Sequence, residues 1–529
     1  MSVDLLVIGA GATGATLALE GARRGLKVAL VEAGDIAIGT SSRSTKLLHG
    51  GVRYLELAFR TFDWRQLQLV REALAERGHW LAAAPFLAQR LELLLPTAQP
   101  FETIYYGIGL GLYDALAGRQ GIGASRWLRQ EAVHQALPAL APGYAGVAYS
   151  DGQFDDARLN LLIARTAAAM GAQVFTRTAV VELIRHGDRL SGAVLEDAGS
   201  GERHRLEARV VINATGIGAD AIRRLAQPDV LPRVRVSRGV HLVLEADLCP
   251  GGTGLLIPAT EDGRVLFMLP FHGRTLVGTT DTACPGAAAE QPSAEEEAYL
   301  LDYVRRWFPG HATPVVSSRW AGGRPLLRDA EPSGNGADGT SRVVREHVVE
   351  TLPCGLVSVM GGKWTTCRPM ALDGLKAAAA LLDGPLPEPL PERAAFPLQG
   401  AAVSAQATLA GLEQLRSRLP HLLPQPTPAL VEHLLASHGL GAEAVLACAA
   451  SPAELVPLSA VIPITAAEVR HAVRYEWART ADDVLARRCR LDFVDRAEAE
   501  RLRPVVQDLL DQELSSAQPS SPTSHQKNP

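Results

Sequence analysis

The sequence is poor in cysteine and has no excess of basic residues, and both shortages exclude classes of protein. Its six cysteines are scattered over 529 residues without a C-x-x-C pair or His-rich spacing, which argues against a disulfide framework, a zinc site and an iron–sulfur cluster. The formal net charge of −5 provides no broad basic surface of the kind that binds nucleic acid. We therefore expect buried free thiols, no bound metal and no nucleic-acid partner.

Long apolar runs and targeting segments are also missing. No stretch of about 18 consecutive apolar residues occurs, so the sequence predicts no membrane-spanning helix. Met1 leads directly into an apolar segment, without a basic region or a small-residue cleavage site, so we expect no signal peptide and a location on the cytoplasmic side. Two apolar stretches, Leu91–Pro96 and Tyr105–Leu116, predict either ordinary core or peripheral attachment to a membrane, and core is the favoured alternative.

The chain has the length and apolar content for two or three folded domains. Of its 529 residues, 47% are hydrophobic and 21% are charged, as is usual for a globular protein. Residues 383–400 are rich in proline and predict a linker after a first region, residues 1–382. Helical patterns dominate residues 401–514, and the polar, Ser- and Pro-rich residues 515–529 predict a disordered tail.

The first 32 residues carry a nucleotide-binding pattern. Leu5–Ile8 predicts a buried parallel strand, and a helix follows over about residues 15–24. Between them stand three glycines in the pattern G-x-G-x-x-G: Gly9, Gly11 and Gly14. They allow a tight turn, close approach of the backbone to a pyrophosphate and close packing of the helix on the strand. Glu32 ends the next strand, where a carboxylate can bind a ribose hydroxyl, so the unit predicts a dinucleotide site with NAD and FAD both open.

A loop rich in small hydroxyl side chains, glycine and cations follows Glu32. It has the sequence T-S-S-R-S-T-K-L-L-H-G-G-V-R-Y-L from Thr40 to Leu55. Its hydroxyls and backbone N–H groups can contact a pyrophosphate, and Gly50 permits close approach to a flat ring. The predicted phosphate contacts are Thr40, Ser41, Ser42 and Ser44.

This loop resembles the FAD-dependent glycerol-3-phosphate dehydrogenases of mitochondria and many bacteria. Further motifs similar to that family occur in the same order, at residues 149–160, 208–216, 320–326, 344–349, 361–366 and 467–488. The resemblance implies an α/β fold: a Rossmann-like FAD-binding domain of the D-amino-acid-oxidase-like superfamily, a substrate domain with a mixed or antiparallel sheet, and a C-terminal helical domain. The FAD-binding domain is then discontinuous within residues 1–382, with cap strands mainly at about residues 85–150 and 235–345.

The same resemblance implies a reaction. sn-Glycerol 3-phosphate would lose a hydride from C2 to flavin N5 and the C2 hydroxyl proton to a base, giving dihydroxyacetone phosphate. The electrons would pass to a membrane quinone from a peripheral position on the inner or cytoplasmic membrane, and a homodimer is among the assemblies that the sequence leaves open. The alternatives are an oxidase of the same fold that uses O₂, a flavin-dependent hydroxy-acid or amine oxidase, and a flavin-binding protein without turnover.

Cations in these motifs are candidates for binding the substrate phosphate, because a guanidinium bonds two phosphate oxygens at once. By resemblance the substrate contacts are Arg53, Tyr54, Arg324 and Arg345. His49 is the candidate general base, since its unperturbed pKa is about 6.5, and Arg324 assisted by a neighbour is the alternative.

The G-G-K-W-T-T motif and the A-T-G turn supply the remaining candidates. Lys363 would lie beside the flavin, where its charge stabilises the reduced state. The other cofactor contacts implied by the resemblance are Gly216, Gly362, Thr365 and Thr366.

Overall fold

The computed structural model describes residues 2–51, 64–261, 263–328, 347–382 and 384–517. Three predicted substrate-binding residues lie outside these ranges: Arg53, Tyr54 and Arg345. Residues 518–529 of the predicted tail also lie outside them. The expectations for all of these positions stay predictions.

The described residues form two β-sheets and a set of helices. The strands are β1 (Ser2–Ile8), β2 (Val28–Val31), β3 (Leu47–Leu48), β4 (Ala88–Thr97), β5 (Arg126–Leu128), β6 (Ala145–Phe154), β7 (Gln173–Phe175), β8 (Thr178–His186), β9 (Arg189–Asp197), β10 (Arg203–Asn213), β11 (Val234–Leu244), β12 (Thr253–Ile257), β13 (Leu266–Phe271), β14 (Arg274–Gly278), β15 (Thr282–Ala283), β16 (Val316–Leu327), β17 (His347–Thr351) and β18 (Leu356–Gly361). The α-helices are α1 (Ala12–Arg23), α2 (Trp64–Ala83), α3 (Pro100–Ala117), α4 (Gln130–Ala136), α5 (Asp156–Ala169), α6 (Ala219–Ala226), α7 (Ala294–Trp307), α8 (Cys367–Ala379), α9 (Pro391–Ala394), α10 (Ala405–Leu422), α11 (Pro428–His438), α12 (Ala442–Leu446), α13 (Ala466–Tyr475), α14 (Leu491–Val494) and α15 (Arg496–Ala517).

The first sheet is built around β1. Its strand order is β17–β18–β10–β1–β2–β7, and β9 and β8 continue from β10. β1 pairs in parallel with both β2 and β10, and its residues Leu5, Leu6 and Val7 are fully buried. A parallel strand covered on both faces requires a continuous apolar run, and α1, which packs against α5 and α8, is part of that cover.

The second sheet has the order β15–β11–β14–β13–β12–β4–β6–β3, with β16 beside β11 and β5 beside β6. β4 and β12 form its parallel pair. Across β11 and β16, Ser237 lies opposite Arg324 and His241 lies opposite Trp320. Because opposed residues share a face and alternate residues along a strand do so too, His241 and Arg324 lie on the same face of this sheet.

The two apolar stretches have different environments. Leu91–Pro96 lies in β4 and its leucines are buried, so the core prediction is confirmed there. For Tyr105–Leu116, which lies in α3, the core alternative is wrong on the outer face: Tyr105 is 51% and Ile108 66% exposed, although Tyr113 is buried. In the described part of the chain, no helix combines the length and the apolar character needed to cross a membrane.

The C-terminal region is helical from α10 to α15. The proline-rich segment before it, predicted as a linker, contains α9 and bonds to the end of α1. Leu390 donates its N–H to the Arg23 carbonyl at 2.9 Å, and Arg393 Nη1 donates to the Ala22 carbonyl at 2.6 Å. The segment therefore packs on the first region.

Candidate active site

A cavity of about 1170 Å³ is lined by residues from both sheets. Most of the predicted site residues within the described ranges line it together: Gly9, Gly11, Glu32, Thr40, Ser41, Ser44, His49, Gly216, Arg324, Gly362, Lys363 and Thr365. The cavity exceeds the roughly 300–1,000 Å³ of ordinary small-ligand pockets. It therefore has room for an extended dinucleotide and a second small molecule.

Four predicted cofactor contacts lie outside the lining: Gly14, Ser42, Gly50 and Thr366. A Cβ on Gly14 would lie 1.7 Å from the carbonyl oxygen of Gly9, so Gly14 is needed for helix-on-strand packing. Gly50 was expected to approach a flat ring, but a Cβ there would meet Leu74 and the Tyr113 hydroxyl at 2.7–2.8 Å. Its small size serves internal packing.

Ser42 and Thr366 contribute backbone geometry. The Ser42 side chain is buried, and its carbonyl oxygen accepts hydrogen bonds from Lys46 Nζ at 2.8 Å and Arg490 Nη2 at 2.7 Å. Thr366 donates its N–H to the Lys363 carbonyl at 3.2 Å, which closes the turn before α8. Neither observation supports a direct cofactor contact by these side chains.

The glycine turn is suited to an anion. α1 begins at Ala12 with no acidic residue in its first turn and no side-chain cap from Gly11, so its dipole and N–H groups favour a negatively charged ligand. Ser41 Oγ accepts the Ala12 N–H at 2.9 Å. A Cβ on Gly11 would lie 2.9 Å from that oxygen. A side chain at position 11 would therefore clash with Ser41, and glycine leaves the backbone of the turn accessible to a pyrophosphate.

Glu32 organises the same turn. Its carboxylate accepts the N–H of Ala10 at 2.8 Å and the N–H of Gly34 at 3.0 Å. Burial raises the pKa of Glu32, and these two donors oppose the rise. One oxygen thus holds the glycine turn and the other holds the loop after β2, while the side chain still lines the cavity. These residues fit the adenosine and pyrophosphate part of FAD.

Arg324 is held rigidly at the other part of the cavity. Its Nη1 donates to the Thr280 carbonyl at 3.0 Å and its Nη2 to Thr279 Oγ1 at 2.9 Å. Gly239 on the neighbouring strand makes room, since a Cβ there would lie 2.3 Å from Arg324 Nη2. A guanidinium fixed in this way is preorganised for an oxyanion.

His241 is a cavity residue that the sequence analysis missed. Its Nε2 lies 3.0 Å from Thr45 Oγ1, and its ring stacks on Trp320 with centroids 5.4 Å apart. Burial, followed by the charges of Lys46 and Arg324, holds the pKa of His241 well below its usual range, so the imidazole is neutral. The sequence signal for His241 is a histidine within V-H-L-V-L, the otherwise apolar end of β11.

Asp151 is a second missed residue, and it neighbours the His49 segment. Leu48 pairs with Gly152 across β3 and β6, which brings His49 and Asp151 to the same end of this ladder, and both line the cavity. Burial raises the pKa of Asp151 to about 6, although Arg77 opposes the rise with a 2.7 Å hydrogen bond. The sequence context D-G-Q-F gave only a family motif and no role for this carboxyl.

Comparisons with known proteins agree with this geometry. The family described as FAD dependent oxidoreductase matches residues 4–374, and the C-terminal domain of alpha-glycerophosphate oxidase matches residues 394–519. The mitochondrial glycerol-3-phosphate dehydrogenase of Arabidopsis thaliana is 38% identical over 96% of this chain and 82% of its own length.

Solved structures give the same grouping. The glycerol-3-phosphate dehydrogenase of Bacillus halodurans, complexed with FAD, has a TM-score of 0.76 at 27% identity, covering 97% of this chain and 91% of its own. The L-alpha-glycerophosphate oxidase of Mycoplasma pneumoniae shares the fold, with a TM-score of 0.56 at 18% identity over 74% of this chain and 97% of its own. The fold class and the FAD cofactor implied by the loop motif are thereby confirmed. The chain belongs to the family of FAD-dependent glycerol-3-phosphate dehydrogenases.

Proposed function

We propose that the protein oxidises sn-glycerol 3-phosphate to dihydroxyacetone phosphate. One observation carries the proposal: a single cavity joins the anion-binding glycine turn to a fixed arginine, a lysine and a histidine. When bound, FAD supplies the acceptor for the hydride that leaves C2. The chain itself has to bind the phosphate, orient C2 and accept the hydroxyl proton.

Each of these tasks has a candidate residue. Arg324, preset by Thr279 and Thr280, would bind a phosphate oxygen, and Arg53, Tyr54 and Arg345 are expected to complete that site. His49 would accept the proton of the C2 hydroxyl. Lys363 also lines the cavity, and its cation would favour the negative charge that develops on reduction.

The direct test is anaerobic addition of sn-glycerol 3-phosphate to the purified flavoprotein. We expect the visible flavin absorbance to bleach, with dihydroxyacetone phosphate formed in the same amount. The enantiomer, sn-glycerol 1-phosphate, is the matched control and should leave the flavin oxidised, because the hydride at C2 would point away from the acceptor. A flavin that stays oxidised with sn-glycerol 3-phosphate but is reduced by a hydroxy acid or an amine would overturn the substrate assignment.

We further propose a membrane quinone as electron acceptor, reached from a peripheral position on the cytoplasmic face. The exposed face of α3 supports this. Phe101 is 68% and Ile108 66% exposed, and Trp127 beside them is 62% exposed. The same helix carries Tyr106, which lines the cavity. α3 thus connects an apolar surface to the site of the reaction, as delivery of electrons to a lipid-soluble acceptor requires.

The double variant Phe101→Ser/Ile108→Ser should bind phospholipid vesicles at least about tenfold more weakly, since burying each apolar side chain is worth roughly 1.5–3 kcal/mol. Flotation with vesicles measures this, together with quinone reduction in the same vesicles. Leu231→Ser is the control, because Leu231 is 78% exposed elsewhere on the surface. Undiminished vesicle binding by the double variant would refute attachment through α3.

Two other outcomes would point to different functions for this surface and this enzyme. If the wild type is a dimer and the double variant is a monomer, α3 is a subunit interface. If the protein forms peroxide in air without quinone, it is an oxidase.

A further inference from the structure

A side chain from the C-terminal helical region, Arg490, forms a hydrogen bond with the backbone of the predicted cofactor loop. Arg490 lies just before α14, within the part of the chain that matches the separate C-terminal family. Its Nη2 donates to the Ser42 carbonyl at 2.7 Å and to Asp156 Oδ1 at 3.2 Å. Ser42 belongs to the segment Thr40–Lys46, here termed the cofactor loop, which also contains the cavity residues Thr40, Ser41 and Ser44.

Asp156, the first residue of α5, accepts hydrogen bonds from the C-terminal half of the cofactor loop, at Ser44 and Lys46. Its Oδ2 accepts the Ser44 N–H at 3.0 Å, the Ser44 hydroxyl at 2.7 Å and Lys46 Nζ at 2.8 Å. Lys46 Nζ also donates to the Ser42 carbonyl at 2.8 Å. The Ser44 hydroxyl, expected from the sequence to face a pyrophosphate, is therefore committed to Asp156.

The three ionisable side chains of this cluster are almost completely buried. Lys46, Asp156 and Arg490 are each about 1% exposed or less, and the Arg490 guanidinium lies 4.3 Å from the Phe493 ring centroid. Removing one partner from such a group leaves an uncompensated buried charge, which is far more costly than losing a surface ion pair. The loss of any one member is therefore expected to disrupt the contacts that the other two make with the cofactor loop.

A second anchor lies close to Glu32. Asp35 follows the strand that ends in the nucleotide motif, and it is buried against two arginines of the C-terminal region. Arg487 Nε donates to Asp35 Oδ2 at 2.5 Å and Arg488 Nη2 to Asp35 Oδ1 at 2.8 Å. The C-terminal region therefore forms hydrogen bonds with two segments that border the nucleotide part of the cavity: the cofactor loop and the turn after Glu32.

We propose that Arg490, with Lys46 and Asp156, is a latch through which the C-terminal region holds the cofactor loop closed over bound FAD. The C-terminal region then acts in flavin retention and is more than an appended domain. The latch does not depend on which substrate the flavin oxidises, so its test can fail without affecting the proposed function, and the reverse is also true. Arg490 acts through the loop and is a positioning residue.

The test measures flavin release from the holoenzyme. After dilution, the appearance of free FAD fluorescence should be about 10–100-fold faster in Arg490→Ala than in wild type, because charge-assisted hydrogen bonds to the loop are lost. Added guanidinium should slow release in Arg490→Ala and leave wild type unchanged. Arg490→Lys, which keeps the charge but not the fork, should be intermediate. Arg496→Ala is the matched control, since Arg496 belongs to the same region but is exposed, with ion pairs inside its own segment.

One result that would overturn the latch is an Arg490→Ala protein that melts at a lower temperature but releases FAD at the wild-type rate, which would make Arg490 an ordinary domain contact.

A second test needs no variant. Hydrogen exchange in the wild-type holoenzyme should show residues 40–46 and 486–493 opening together, and conditions that open them should also speed the release of FAD. Independent opening of the two segments contradicts the proposal even if Arg490→Ala fails to fold.

Discussion

Replacing Arg324 by methionine is expected to lower kcat/KM for sn-glycerol 3-phosphate by about 30–4,000-fold, because the substrate phosphate loses a fixed, charge-assisted partner. Removing one member of a buried, hydrogen-bonded charge pair costs roughly 2–5 kcal/mol or more, and about 1.4 kcal/mol corresponds to a factor of ten. Thr279 and Thr280 fix the guanidinium before substrate arrives, so little of its interaction energy is spent on ordering. The loss should appear mainly in KM, as measured by steady-state kinetics with a quinone analogue.

Two comparisons isolate the phosphate contact. Arg319→Met is the matched control, because Arg319 lies on the same strand, β16, but is half exposed and pairs with Glu297. Glycerol, which lacks the phosphate, should be oxidised equally slowly by wild type and Arg324→Met. An equal loss with glycerol would mean that Arg324 acts at the reacting carbon, as the alternative assignment of the base requires.

The parts of the site that the sequence predicted depend on local geometry. Gly9, Gly11 and Glu32 follow one another in a strand, turn, helix and second strand, and their spacing predicts that the glycines approach a pyrophosphate and Glu32 the neighbouring ribose. Their positions in the cavity agree with that expectation. Gly50 shows the limit, because its neighbours Leu74 and Tyr113 come from distant helices. A glycine in a motif indicates close approach, but sequence does not say what approaches.

Charges were harder to assign than glycines. Asp156 stands in the motif at residues 149–160, and nothing in that motif indicates that its carboxylate is fully buried beneath the cofactor loop. Its partner Arg490 is 334 positions away in the chain, and no periodicity links the two. The position of His241 is hidden in the sequence for a related reason. Its neighbours are Thr45, in the cofactor loop, and Trp320, on the paired strand β16, and both are distant from it in the chain.

His49→Gln is expected to lower kcat by about 10²–10⁴-fold, the usual range for loss of a positioned general base. Glutamine keeps the size and a hydrogen-bonding group but cannot accept a proton at neutral pH. The wild-type rate should rise with pH as the imidazole loses its proton, and this rise should vanish in the variant. His134→Gln, at an exposed position in the last turn of α4, is the control and should match wild type.

Asp151 makes the pH profile diagnostic. Burial raises the pKa of its carboxyl to about 6, so Asp151 is neutral below that pH and carries a charge above it, close to where an unperturbed histidine titrates at about 6.5. The two groups are separated by variants: a step that persists in His49→Gln but disappears in Asp151→Asn belongs to the carboxyl. Tyr113 links Asp151 to the His49 segment, donating to Asp151 Oδ1 at 2.9 Å and accepting the Gly50 N–H at 2.7 Å. If kcat and its pH dependence are unchanged in His49→Gln, His49 is not the base, and proton removal passes to Arg324 and its neighbours.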